Sequence, residues 1–328
     1  MTDTPVILSR GDVYSSADPF ATAITFVGPT VSWVGEDEAA AVTDGEHIDL
    51  AGDLVAPGFV HAGLRLTGDD PDPAELLAAG ITTVHVLGSA AHVEAFTAAA
   101  PSALSIIDYR TDAGGERAAI AAADLTATAG DDRSLFIMVD DETGLAAALT
   151  TLTDPEVRTR AQRRLWRLHL DLPVPADAVE ALAATGVGIT LDPAAHPQPL
   201  APLLSAGAQV SFALDVASPW DSLAAAVYRT EAGISARAAF NAATRFGFRA
   251  LGAHESGLLA PGAEATAVRW RVGELIVQVA DERLAAWSTD PRSGTPGLPD
   301  LTGESPLPAV REVWVRGQRV ATGTSATV

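Results

Sequence analysis

The chain contains no cysteine and no lysine. The first absence excludes disulfides, thiolate zinc sites and a cysteine nucleophile, and says little about compartment. The second leaves arginine as the only cationic side chain with a fixed charge, all 21 of them, so a Schiff base, a lysine general base and a carbamylated lysine are excluded. No apolar run reaches the roughly 18 to 20 residues that a membrane span needs. Met1 to Pro5 lacks a basic stretch followed by an apolar segment, so no signal peptide is expected. A net charge of −21 lacks the basic footprint that nucleic acid or an anionic membrane requires, and neither is expected as a partner. The acidity is spread along the chain, as suits solubility. A soluble cytoplasmic protein is the expectation.

At 328 residues and 48% hydrophobic content, the chain is long and apolar enough to bury a large core. Residues 1–57 read as short strands: Val6 to Leu8, Val13-Tyr14, Ala23 to Val27, Val31 to Val34, His47 to Leu50 and Leu54-Val55. Gly28-Pro29-Thr30 suits a hairpin connection between the third and fourth. From Pro57 to about Gly252, short apolar strands alternate with alanine-rich helices, which argues for parallel α/β architecture. Strands are predicted at Phe59-Val60, Thr82 to Leu87, Leu104 to Tyr109, Leu135 to Val139, Leu165 to Leu170, Val187 to Leu191 and Val210 to Leu214. Helices are predicted at Pro73 to Ala79, Ala91 to Ala99, Glu142 to Leu152, Ala176 to Ala184, Leu200 to Ala206, Ser218 to Arg229 and Ala236 to Leu251. A closed barrel usually has eight strands. The eighth is assigned to the weak Leu125-Thr126-Ala127, or else one unit is eroded.

The strand pattern returns in Ala267 to Trp270, Glu274 to Val279 and Val313 to Val315, while Asp290 to Pro308 reads as an irregular surface segment. Two β-rich ends enclosing one α/β middle predict a TIM-like (β/α) barrel over 58–255. A small β-sandwich would be built jointly from 1–57 and 256–328.

Particular motifs go further. Gly11 to Tyr14, Val31 to Gly35 and Asp49 to Val60 at one end pair with Gly257 to Ala265 and Val313 to Val320 at the other. Together they resemble the opening and closing segments of the amidohydrolase superfamily. Ile234 to Phe240 and Trp287 to Arg292 are similar to its amidohydrolase-3 (YtcJ-like) group. The resemblance covers most of the chain, with a middle shorter than is usual there. It implies one or two divalent ions at the C-terminal face of the barrel, polarising a carbonyl and activating water.

The ligands implied by that resemblance are mostly missing. Its paired histidines on the first barrel strand align with Gly63 and Arg65 of Pro57 to Arg65. Glycine offers no side chain, and a guanidinium cannot ligate a metal. A shifted alignment through His61 recovers only one histidine. The mid-barrel ligand aligns with Met138, a soft donor that reads as core filler, and the bridging lysine cannot exist. A later histidine falls on Leu170 or, with a one-residue shift, on His169. Asp215 stands where the family has its last barrel aspartate, and also reads as a loop carboxylate ahead of Pro219-Trp220. Asp140 follows a strand and either lines the mouth or starts a helix. His85, His92, His196 and His254 read as core or solvated histidines.

Two functions are therefore expected as alternatives. The first is a metal-free, catalytically degenerate homologue that keeps its barrel for binding a small molecule or a protein partner, with homo-oligomerisation open. In it Arg65, His61 and Asp140 would contact the ligand, and the Arg65 guanidinium would replace the metal cation, pairing with Asp215 or Asp140 as a buried charge. The second is an active hydrolase on carbon–nitrogen bonds other than peptides, with one Zn2+ on a rebuilt site of His61, His169 and Asp215. Metal-free acid/base chemistry by Asp215 and His169 is a third possibility.

Overall fold

The computed structural model of the chain describes residues 4–112, 114–230, 232–278, 287–288 and 296–322. Eight strands form one sheet in sequence order, each hydrogen-bonded in parallel to the next: β1 Phe59–Arg65, β2 Ile81–Gly88, β3 Ser105–Arg110, β4 Arg117–Ala121, β5 Ser134–Val139, β6 Arg167–Leu170, β7 Gly188–Leu191 and β8 Gln209–Phe212. The sheet curls until β8 lies beside β1, giving a nearly closed TIM-like barrel. β2 is buried along its whole length, as expected of a strand with side chains in the barrel on one face and helices on the other.

The helices begin where short polar side chains cap them. Asp72, Ser89, Asp141, Asp154 and Ser235 each accept a bond from a backbone N–H in the first turn that follows. Pro155–Arg163 is a helix that the sequence reading did not contain.

No barrel unit is missing. The eighth strand is Arg117–Ala121, while Leu125–Thr128 is a helix turn. Ala118 and Ala119 disguise this strand, because alanine favours helices and these two sit buried in the sheet only through tertiary packing. β6 starts at Arg167, two residues later than predicted, because Leu165 turns with a φ of 54°. The predicted Ala236–Leu251 helix is two, Ala236–Ala242 and Arg245–Arg249.

Both ends of the chain contribute to one five-stranded sheet. It runs Asp12–Val13, Leu54–Pro57, Ala267–Arg271, Ala309–Val315 and Gln318–Thr322. A four-stranded sheet of Thr30–Gly35, Ala23–Val27, Val6–Ser9 and Glu46–Asp49 shares a core with it, where Phe26 meets Trp314 with ring centroids 5.9 Å apart. The Arg269 guanidinium donates to Asp53 at 2.7 Å and to the Leu50 carbonyl at 2.9 Å, a nearly buried tie between the two ends. Leu275–Gln278 pairs with Trp287–Ser288 and with Leu298–Pro299. The remainder of the predicted Glu274–Val279 strand, residue 279, and residues 289–292 of the Trp287 to Arg292 motif lie outside the described residues. So does 290–295 of the segment predicted to be irregular, and its later part contains the Leu298–Pro299 strand.

An aromatic cluster joins barrel to sandwich. Phe59 of β1, Trp220 after β8, Phe240 and sandwich Trp270 contact one another, with Phe59–Trp270 and Trp220–Trp270 centroids each 5.4 Å apart. Gly80, at φ +84°, lets the chain turn against this cluster. A Cβ there would lie 2.6 Å from Cη2 of Trp270.

Candidate functional site at the barrel mouth

The strands of a parallel barrel all end on the same face, and polar residues at those ends face one another. Arg65 ends β1; Asp140, Asp171 and Asp192 each directly follow β5, β6 and β7, and Asp215 stands three residues beyond β8. Arg65 donates from Nη1 to Oδ1 of Asp140 at 2.5 Å and from Nη2 to Oδ2 at 3.4 Å, a two-pronged contact. Its Nη1 also reaches Oδ2 of Asp171 at 3.4 Å, and the other oxygen of Asp171 meets Nε2 of His196 at 3.2 Å. A chain of polar contacts, Asp140–Arg65–Asp171–His196, therefore spans the mouth. The Arg65 side chain is 32% exposed and that of Asp140 57%, so the expected burial of this ion pair does not hold. Long side chains ending a strand at an open rim keep their heads in water.

Asp215 is not one of Arg65's partners. Its backbone N–H donates to Oγ of Ser222 at 2.8 Å and its Oδ1 accepts from the Ala217 N–H at 2.9 Å, the pattern of a loop carboxylate ordering the turn into the next helix. Asp192 caps the amides of Ala194 and Ala195. Burial raises the Asp192 pKa above the usual carboxylate range. Nearby Asp215 acts the same way, while the two amides and His196 oppose it.

Beneath this layer lie His61 and His169, both buried. The Gly63 N–H donates to Nδ1 of His61 at 3.3 Å, and Nε2 of His169 donates to the Gly63 carbonyl at 3.1 Å. These bonds place the proton of each neutral ring on Nε2. The Nδ1 of His169 is buried without a hydrogen-bond partner among the described residues. Burial pushes the pKa of His61 down to about 3, with His169 adding to the effect, and that of His169 down to about 4, with Arg65 adding to it. Both shifts favour the neutral ring over the imidazolium at neutral pH.

The residues present do not fit the metal that the resemblance implies. A Cβ on residue 63 would lie 2.6 Å from Cδ2 of His169 and 3.1 Å from Cγ2 of Thr190, so a ligand side chain there has no room. Residue 65 is a cation already committed to two carboxylates. Met138 packs against the cluster of Leu87, Tyr109, Ala119 and Phe136. Among the described residues no group of three or more histidine, aspartate or glutamate side chains is disposed to hold a metal ion, so His61, His169 and Asp215 are not brought together as a ligand set.

Sequence reasoning did not single out Asp171 or Asp192, and left His196 as a loop histidine. The signal was available: Leu170-Asp171 and Leu191-Asp192 repeat the strand-end pattern of Val139-Asp140.

Eight parallel strands, a sheet shared by the two chain ends and a polar mouth at the strand C-termini define a TIM-like barrel carried on a composite β-sandwich. The Amidohydro_3 family model, described as amidohydrolase family, matches residues 134–321, more than half of the chain, and the chain belongs to that family. No curated protein matches it in sequence. Among solved structures it is similar to a triazine hydrolase variant (TM-score 0.68, 17% identity, covering 98% of this chain and 96% of that one). It is also similar to atrazine chlorohydrolase from Arthrobacter aurescens complexed with zinc (TM-score 0.61, 16% identity, 98% and 97% covered). A third is E. coli guanine deaminase (TM-score 0.63, 15% identity, 97% and 99% covered). At such identities the likeness concerns the fold.

Proposed function

We propose that this chain is a shortened, metal-free member of its family that has lost hydrolysis and uses the barrel mouth to bind a small molecule or a protein partner. The observation that carries this reading is the packing of His169 into the space over Gly63, beside Arg65 held by Asp140 and Asp171. A guanidinium supplies the positive charge at the mouth, oriented for bidentate contact, and it cannot lower the pKa of a water as a divalent ion does. Ligand groups would compete for Arg65, Asp140 and Asp171, with His196 and Asp215 at the rim and neutral His61 below. A cytoplasmic location is part of this proposal; among the described residues no helix is long and apolar enough to cross a membrane.

Calorimetry and mass spectrometry with a panel of small amides, ureas and carboxylic acids test it, in wild type and Arg65→Gln, with and without added zinc. The expected result is a ligand bound by wild type, weakened by Arg65→Gln and recovered intact. Zinc-dependent hydrolysis, or binding indifferent to Arg65, contradicts it.

A further inference from the structure

The opposite, N-terminal face of the barrel carries a cluster of arginines. A cleft of about 560 Å3 opens there, lined by Arg117, Arg133, Arg163 and Arg164, by Glu116 and Asp132, and by Tyr109. A second cleft of about 580 Å3 shares Asp132, Arg163 and Arg164 with it and adds Arg160 and Glu156. Three of these arginines are compensated: Arg133 is forked onto Asp131 at 2.9 and 2.6 Å, while Arg164 at 3.3 Å and Arg160 at 4.0 Å share Asp132. Arg117 and Arg163 have no carboxylate partner among the described residues. In a chain of net charge −21, this is a local excess of positive charge.

The barrel interior behind the cleft adds to it. Arg167 is buried, and its guanidinium donates to Nδ1 of His85 at 2.7 Å, to Oγ1 of Thr190 at 3.2 Å and to the Ala62 carbonyl. It stands 4.0 Å from the ring centroid of Phe136 and 5.8 Å from that of Tyr109. No carboxylate among the described residues pairs with it, which is unusual for a buried cation. Among the described residues its Nε, the Nε2 of His85 and the hydroxyl of Tyr109 are buried without a hydrogen-bond partner, and Tyr109 lies close enough to the guanidinium to favour its charge. Burial lowers the His85 pKa, and Arg167, His61 and cleft-lining Arg117 push the same way.

We infer that the cleft on the barrel's N-terminal face binds a small oxyanion, a phosphate or carboxylate group taken by Arg117 and Arg163 over Tyr109, with the buried Arg167 behind it. Guanidinium forks match the paired oxygens of both groups. The concave shape and the acidity of the surrounding chain favour a small anion over an extended polyanion such as nucleic acid, which the net charge would repel. This inference stands apart from the proposed function, since it shares no residue with the mouth.

Isothermal titration of the full-length protein with inorganic phosphate, pyrophosphate and citrate, at about 0.15 M NaCl, tests it. Saturable one-site binding is expected for at least one probe. Preference for phosphate and pyrophosphate identifies a phosphate ligand, and preference for citrate a carboxylate one. Arg117→Gln combined with Arg163→Gln is expected to weaken binding by about tenfold or more. Should the double variant fail to fold, Arg163→Gln alone on its exposed helix end carries the same expectation. Absence of binding beyond a chloride control overturns the inference, as does full binding by the Arg117 and Arg163 variants.

Discussion

His169 fills the volume that a side chain on residue 63 would need, its Cδ2 lying 2.6 Å from the position of a Cβ there and its Nε2 bound to the Gly63 carbonyl. Rebuilding a ligand at this position therefore displaces a buried ring before it can reach any ion. Gly63→Ala is expected to destabilise the protein by about 1–3 kcal/mol, the usual range for overpacking a filled core. The midpoint of urea unfolding reads this out. An unchanged midpoint would mean that the ring moves aside freely.

The ion pair at the mouth is worth little to stability. Arg65 and Asp140 are both substantially exposed, so Coulomb attraction is screened and each side chain gives up entropy to hold the contact. A double-mutant cycle with Arg65→Gln and Asp140→Asn is expected to give a coupling of about 1 kcal/mol or less, falling with salt. A coupling of several kcal/mol would show a buried pair.

The two buried imidazoles predict a pH dependence of defined sign. His61 and His169 have folded pKa values of about 3 and about 4, below the ordinary 6.5, so the unfolded chain binds more protons at these sites between those limits. Their contribution is fully present above pH ~6.5 and is lost as pH falls, by up to about 1.4 kcal/mol per pH unit for each ring. Unfolding free energies of wild type and His169→Gln measured from pH 7 to 4.5 check this, the variant showing the shallower slope. In NMR the ring signals of both residues should not titrate between pH 8 and 5.

Trp270 ties the sandwich to the barrel through Phe59 and Trp220, and it is almost wholly buried. Trp270→Ala is expected to cost about 3–5 kcal/mol, as large aromatic truncations in cores do. Barrel and sandwich should still unfold in one transition. A loss below 1 kcal/mol would mean that the cluster is not a structural joint.

The scaffold was largely legible because hydrophobic period and turn chemistry act locally. Seven barrel strands follow from apolar runs such as Thr82 to Leu87 and Leu135 to Val139. Arg117–Ala121 does not, because Ala118 and Ala119 carry helix propensity and are held in a strand by neighbours. At the mouth, Arg65 and Asp140 could be placed from strand register. The partnership of Arg65 with Asp171 crosses 106 residues, as does that of His169 with Gly63, and neither leaves a local trace. The same limit hid the buried Arg167 and its contact with His85.

Zinc content tests the account at its centre. Protein purified without an affinity tag from zinc-supplemented culture is analysed by mass spectrometry of the metal, alongside Asp215→Asn and His169→Gln. The account predicts zinc far below one ion per chain, equal in all three proteins. One zinc per wild-type chain, lost in either variant, would contradict it.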